Sequence, residues 1–419
     1  MNLTTDDTDT VPTMLPRRRS RGVAASFPER VARASGIAVY TSFEAAEPVW
    51  RAFEATAVGT AFQSFDWLSA WHAHAGAGTT PAIVVVSRQG APLLLVPLGI
   101  ERFMGLKRLV FMGGRMADYK GPLLASDFAA HVPAGEFPAM WRQIARALPR
   151  HDLAMLTDQP VALGAPLAPM HNPFAELGGV AAPDDAYVFD LPSTFDELSL
   201  RYRAETRRID RSKMRKLEAA GAVTFRFAET PEERVAMTAD ILDRKAAQLA
   251  VQGIVSIFAE PAYRDAYLAL AALPAERQLL DVAELRLNGA FLSGSIGHRR
   301  QGRTTLMVHT YEAGTYSRLS PGRMHLLKLL QASIARGDTV YDLSVGYLPY
   351  KESFCDVPME MRNLVTGASL PGMAFAAGVR GALALKCRVK QDPRLMGIVG
   401  RMRAAFGRMR TSAAARFIY

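Results

Sequence analysis

The chain has 419 residues, 49% of them hydrophobic and 21% charged, with a net charge of +10. That balance belongs to a globular protein too long for one ordinary core, so two domains plus tails is the natural division. Two cysteines, Cys355 and Cys387, exclude a disulfide framework, and no CxxC or His-rich spacing offers a metal site; the expectation is a cytoplasmic chain without a bound metal.

Residues 1–35 carry three aspartates and then Arg17-Arg18-Arg19-Ser20-Arg21, without the apolar run of a signal peptide, and read as a disordered tail. A first strand over Gly36–Tyr40 leads to a helix over about Glu44–Ala55. Phe62 to Trp71 enters a second helix, with Ser64 or Asp66 as cap and Phe65, Leu68 and Trp71 on one face. Pro81–Ser87 and Pro92–Arg102 flank Gln89-Gly90 as a hairpin, and Arg108–Met112 adds a strand. Asp118 to Leu123 turns into a short strand, Glu136–Leu148 is helical and Asp152–Leu156 extended. A linker rich in Pro, Ala and Gly, 160–185, then reaches a strand at Tyr187–Leu191.

Ser193 or Thr194 caps the next helix, and the segment Leu200–Ala220 holds eight Lys or Arg before Gly221 closes it. A strand at Val223–Ala228 and helices at Pro231–Leu249 and Pro261–Leu273 follow. Leu279–Leu287, Ala290–His298 and Thr304–Thr310 alternate as an antiparallel meander. Ser320 precedes Pro321 at the start of a helix with Met324, Leu327, Leu330 and Ile334 on one face; Gly337 ends it and Thr339–Leu343 is extended. Such a helix start, beside two strand ends, suits an anion. The stretch 363–379 is free of charge but contains Pro371 and is too short for a membrane span. From Gly372 to Tyr419 ten Lys or Arg face one acid, Asp392, interleaved with Phe375, Leu383 and Met402. This basic tail reads as a surface for an anionic membrane or nucleic acid, or as a solvated extension.

Phe62-Gln-Ser-Phe-Asp-Trp67 with Trp71, Ala117-Asp-Tyr119 with Gly121-Pro-Leu123, and the arginine-spaced run ending Leu217-Glu-Ala-Ala-Gly221 resemble the CelD/BcsL family, acetyltransferase-like proteins linked to cellulose biosynthesis. So do Tyr311, Ser320-Pro-Gly322, Gly337, Asp342-Leu343, Gly346 and Tyr350-Lys351. The resemblance spans about 36–365. It implies an α/β (α+β) fold of two GNAT-like domains, 36–190 and 191–365, related to FemABX aminoacyl transferases, with tails at 1–35 and 366–419. It implies an acyltransferase moving an acyl group from acetyl-CoA or another acyl-CoA to an amine or hydroxyl of a small-molecule, sugar, exopolysaccharide or cell-envelope acceptor. In place of the usual Gln/Arg-x-x-Gly-x-Gly/Ala pyrophosphate loop stands Arg318–Arg323.

The implied roles follow the motif positions. Backbone around Val308 to Thr310 receives the acyl carbonyl, and Ser320, Gly322 and Arg323 the pyrophosphate, with Arg318 as an added cation; Ser320 and Gly322 serve equally as a helix start and a close packing point. Tyr350 or Tyr347 protonates the leaving thiolate or simply packs. Lys351 holds a carboxylate or phosphate, or lies at the surface. Asp342 orients Lys351, acts as base, or caps backbone, and His309 is a better-placed base than His298. Asp118 and Tyr119 line an inter-domain cleft for the acceptor. Arg207, Arg208 and Arg211 meet the donor, a tRNA or an anionic polysaccharide precursor, or form a solvated face. Beside direct acyl-CoA transfer by a protein in the cytoplasm or peripheral at the inner membrane, two alternatives stay open: an aminoacyl-tRNA-dependent transferase, and an inactive GNAT-like binding module at the membrane.

Overall fold

The computed structural model describes residues 36–166 and 168–391. The expected tail 1–35 and the final part of the basic tail, 392–419, lie outside the described residues. The chain begins β1 (Ile37–Tyr40), α1 (Phe43–Glu54), α2 (Phe65–Ala75), β2 (Thr79–Arg88), β3 (Ala91–Phe103), β4 (Leu106–Phe111), β5 (Leu123–Leu124), α3 (Phe128–His131), α4 (Phe137–Ala147), β6 (Leu153–Pro160), β7 (Ala162–Ala165), β8 (Ala168–His171) and β9 (Val180–Ala181). It continues β10 (Ala186–Asp190), α5 (Phe195–Leu200), α6 (Ala204–Ala220), β11 (Val223–Phe227), α7 (Pro231–Val251), α8 (Pro261–Ala271), β12 (Leu280–Leu287), β13 (Ala290–Arg300), β14 (Arg303–Tyr311), α9 (Pro321–Ala335), β15 (Val340–Val345), β16 (Met361–Gly367) and α10 (Leu370–Gln391).

Local chemistry sets most of these boundaries. Ser64 caps α2, its side chain accepting from Trp67 N–H, and Thr194 does the same for α5 through Glu197 N–H. Four hairpin turns are built on the pairs Gln89-Gly90, Met104-Gly105, Asn288-Gly289 and Gln301-Gly302, in which both residues hold positive φ. Only such primed turns match the right-handed twist of the flanking strands, and glycine takes the second position without strain.

Eight strands form one sheet in the order β1-β2-β3-β4-β6-β16-β9, with β5 added on β3; six form the other, β10-β15-β14-β13-β12-β11. Each sheet is antiparallel except for one parallel pair, β4 with β6 and β14 with β15. In both cases a helix bridges the pair, α4 in the first and α9 in the second. The architecture is thus mixed α/β, with two sheets flanked by helices. The division at 190 falls at the end of β10, which belongs to the second sheet, and that at 365 falls inside β16, which returns to the first.

Three sequence expectations change. The stretch 160–185 is more than a linker, because β7 and β8 pair as a hairpin there and Pro173–Leu177 forms a helical turn. The basic helix breaks at Arg201–Arg203, where Tyr202 drives its ring into the core against Phe354 and Arg207 returns to donate to Tyr202 O at 2.5 Å. The first part of the C-terminal tail, 370–391, is the helix α10, packed on β16 and β9.

One apolar cluster joins the two halves. It runs from Phe62, Trp67 and Trp71 in the first to Ile241, Tyr267 and Ile296 in the second. Trp67 meets Tyr267 edge-on with ring centroids 6.0 Å apart. A shared core of this kind holds the halves as one body rather than as hinged domains.

Candidate functional site

The parallel pairing of β14 with β15 stops early. Only Arg303–Thr305 pair with Val340–Asp342, yet β14 runs on to Tyr311 and β15 to Val345. Beyond Thr305 the strands diverge, and a cavity of about 470 Å³ opens along Leu306, His309, Leu343 and Ser344. Helix α7 supplies the opposite wall through Lys245, Gln248 and Gln252, and the first half of the chain contributes Asp118. Tyr350 and Lys351 close it from the loop after β15.

Behind this cavity a buried polar hub fixes the strand ends. Asp342 is fully buried and accepts four hydrogen bonds: from Tyr119 Oη at 2.7 Å, Arg303 Nη2 at 2.7 Å, Thr305 Oγ1 at 3.2 Å and Ser344 N–H at 2.7 Å. With those donors its carboxylate is satisfied and has no capacity left for a substrate proton. Of its three expected roles, the capping of backbone is the one drawn here. It makes no hydrogen bond to Lys351. Tyr119 crosses from the first half to reach Asp342, and burial raises its phenol further above its ordinary range. Neither side chain lines the cavity.

Asp118 is different. Ser344 Oγ donates to it, but its carboxyl also faces the cavity, and burial pushes it up to about 6. Lys351 is buried with its ammonium donating to Ser344 O at 3.2 Å and Val345 O at 3.0 Å, 5.2 Å from the Tyr187 ring centroid. Burial lowers it to about 8. Lys245 donates to His309 O at 2.9 Å and is also lowered by burial. No ion pair engages either lysine among the described residues, so the cavity presents two cations and one carboxylate.

His309 Nε2 lies 3.0 Å from Ser293 Oγ, whose own proton goes to Thr310 O at 2.8 Å. The ring must therefore donate from Nε2, which leaves Nδ1 as the acceptor. Burial, then the charge of Lys245, push it down to about 4, so it is neutral at physiological pH. His298 is packed between Phe62 and Trp67, with neither ring nitrogen partnered among the described residues. Burial takes it to about 3, and it serves as core. Tyr350 stays protonated, pushed up to about 12 by burial, whereas Tyr347 is 59% exposed and does not line the cavity. Val308 and Thr310 are buried within β14.

The start of α9 departs from expectation. Ser320 occupies the cap position but is left-handed at φ 52°, and its side chain bonds no helical N–H; Oγ accepts instead from Lys213 Nζ at 2.7 Å. Gly322 is buried, and a Cβ there would lie 3.0 Å from Tyr311 Cδ1, so a larger residue would press on that ring. Arg323 is committed to Asp210 through Nε at 2.7 Å and Nη2 at 2.8 Å, between the rings of Tyr202 and Phe354. The free anion donors here are the amides of Gly322 and Arg323, which precede the first bond from Met324 N–H to Ser320 O, together with Lys213 and the exposed Arg318. Arg207 and Arg211 do not reach the cavity; they line a separate depression of about 280 Å³ between α5, α6 and α9. Arg208 is exposed on α6, and Cys355 is buried with its thiol against Val188 O.

Sequence reading did not find Lys245, Gln248, Gln252, Ser293, Arg303 or Ser344. The spacing of three and four puts Lys245, Gln248 and Gln252 on one face of α7, but such a polar stripe does not by itself tell a cavity wall from a solvent face.

Residues 204–352 match the family model described as an acetyltransferase (GNAT) domain. No curated protein matches the chain. Among solved structures the fold is similar to FemX, at 11% identity and TM-score 0.50, covering 78% of this chain and 94% of that one. It is also similar to L-PGS from Bacillus licheniformis (13% identity, TM-score 0.48, covering 82% and 97%) and to a tandem GNAT protein from the clavulanic acid biosynthesis pathway (13%, 0.43, covering 80% and 98%). Residues 204–352 thus carry the match to a GNAT-type acetyltransferase domain. Among the described residues no helix is long and apolar enough to cross a membrane, and no cluster of His, Cys, Asp and Glu has the geometry to hold a metal.

Proposed function

We propose that the diverging ends of β14 and β15 receive the thioester of an acyl-CoA and that an amine or hydroxyl acceptor enters from the side of Asp118 and α7. The observation that carries this reading is the cavity itself: it lies where two parallel strands part inside a GNAT-type domain, and its polar groups converge on that gap. The pantetheine arm would run along the open edge of β14, with the pyrophosphate near the amides of Gly322 and Arg323 and beside Lys213 and Arg318.

In the proposed step, the acceptor nitrogen or oxygen attacks the thioester carbon, the new bond forms and the C–S bond breaks. Asp118 takes the acceptor proton. Lys351, charged below about pH 8, faces the developing oxyanion. Tyr350 gives a proton to the leaving thiolate and regains it from solvent. A covalent enzyme intermediate is not part of the scheme, since Cys355 points into backbone carbonyls. The test is calorimetric titration with acetyl-CoA and thiol release over a panel of amines and amino sugars. We expect binding that Lys213→Ala weakens and turnover that Lys351→Met lowers by about 10²-fold or more. Turnover unchanged in Lys351→Met would remove it from the mechanism.

A second reading, transfer from an aminoacyl-tRNA, is favoured by one feature, the exposed cations Arg208, Arg211, Arg215 and Lys216 along α6. Binding of charged tRNA without any response to acetyl-CoA would establish it in place of the first. The link to cellulose or exopolysaccharide rests on the sequence motifs alone.

A further inference from the structure

The β3–β4 turn and the start of α10 meet at one corner of the first half, outside the matched residues 204–352. Phe103 stands edge-on to Phe375 with ring centroids 5.8 Å apart. Asp152 ties the two segments together: one carboxylate oxygen accepts from Lys107 N–H at 2.9 Å, the other from Ser369 Oγ at 2.9 Å. Asp152 also lines the adjacent groove.

Beside this junction lies an open groove of about 610 Å³ lined by Arg102, Lys107, Arg146, Arg150 and His151. The four Arg and Lys side chains are exposed. Asp152 is the one acid in the groove lining, Glu101 nearby in sequence is bridged to Arg108 at 2.6 Å, and Arg102, Arg146 and Arg150 make no ion pair among the described residues. Apolar side chains project at the margin: Met104 at the tip of the β3–β4 turn is 77% exposed, Leu370 78% and Met373 49%. Helix α10 extends the same character, with no acid between 370 and 391, exposed Arg380, Lys386 and Arg388, and Leu385 exposed.

A soluble surface does not usually offer a methionine and a leucine to water beside a bed of unpaired arginines. The two classes of side chain have one environment in common, the boundary of an anionic bilayer, where apolar tips enter the acyl region and cations meet phosphates. A nucleic acid would satisfy the cations and leave Met104 and Leu370 unpartnered. We infer that this corner of the first half, the basic groove together with Met104 and the start of α10, is a docking face for an anionic phospholipid surface. It is built from folded residues and does not depend on the chemistry at the β14–β15 cavity.

The test is co-sedimentation of the full chain with phosphatidylcholine vesicles, with and without phosphatidylglycerol. Binding is expected only with the anionic lipid, falling as salt is raised. Arg146→Glu with Arg150→Glu and, separately, Met104→Glu with Leu370→Glu should each weaken it at least about tenfold while leaving the melting temperature unchanged, because all four side chains are exposed. Wild-type binding that neither pair disturbs, no binding at all, or equal binding to neutral vesicles overturns the proposal. So does tighter binding to an RNA oligonucleotide that is indifferent to Met104→Glu with Leu370→Glu.

Discussion

Asp118 and Lys351 face one cavity with their protonation ranges drawn toward each other, the acid raised to about 6 and the ammonium lowered to about 8, each chiefly by burial. A rate that needs the carboxylate ionised and the lysine charged therefore rises through pH 6 and falls through pH 8. We expect a bell between those limits for kcat/KM, and in Asp118→Asn both a lower rate and loss of the acid limb; an acid limb that persists assigns it elsewhere. The same group leaves a stability signature of definite sign. Its folded pKa lies above the unfolded value, so the stability it contributes is complete below about pH 4 and is lost as the pH rises through 6. Asp118→Asn removes that loss, worth up to about 3 kcal/mol, so relative to the native chain the variant gains stability between pH 4 and pH 7. Asp118 and Lys351 were legible in the sequence because each sits in a short polar motif beside strand ends. Lys245 was not, since a lysine on an amphipathic helix looks the same whether it meets water or a cavity.

At the scale of elements, the turns and caps were the readable part, because their chemistry is local. Gln89-Gly90, Asn288-Gly289, Ser64 and Thr194 each specify a backbone conformation within a few residues. Ser320 shows the limit: the Ser-Pro pair marks the helix start correctly, but what surrounds it is decided by α6, more than a hundred residues earlier. There Lys213 reaches Ser320, and Asp210 holds Arg323 so that α6 and α9 are clamped together. Asp210 is 5% exposed, and removing it strands a guanidinium between two aromatic rings. Asp210→Ala should cost about 3–5 kcal/mol in urea unfolding. A loss below about 1 kcal/mol would show that the clamp is solvated and weak.

For the whole molecule, the composition and the two runs of hairpin strands foretold two mixed sheets, but not how they are joined. The joint depends on pairs more than two hundred residues apart, Tyr119 with Asp342 and Ser344 with Asp118, and on the apolar cluster from Trp67 to Tyr267. No local pattern encodes such contacts. Tyr119→Phe keeps the ring and deletes the phenolic donor, leaving Asp342 one hydrogen bond short in a buried site. The expected cost is about 1–3 kcal/mol, with the calorimetric trace still a single transition. Two separated transitions would show that the halves unfold independently.

The return of β16 to the first sheet has a consequence for synthesis on the ribosome. β6 pairs with β4 on one side and waits on the other for β16, whose first residue follows the end of β6 by 201 positions (361 − 160). At about 5–20 residues per second that is roughly 10–40 s during which a strand edge of the nascent first half stands open. Such an edge is a template for pairing with another chain. Yield of the full-length protein should therefore respond to translation speed and chaperone supply, and a fragment ending before Met361 should leave that edge permanently bare.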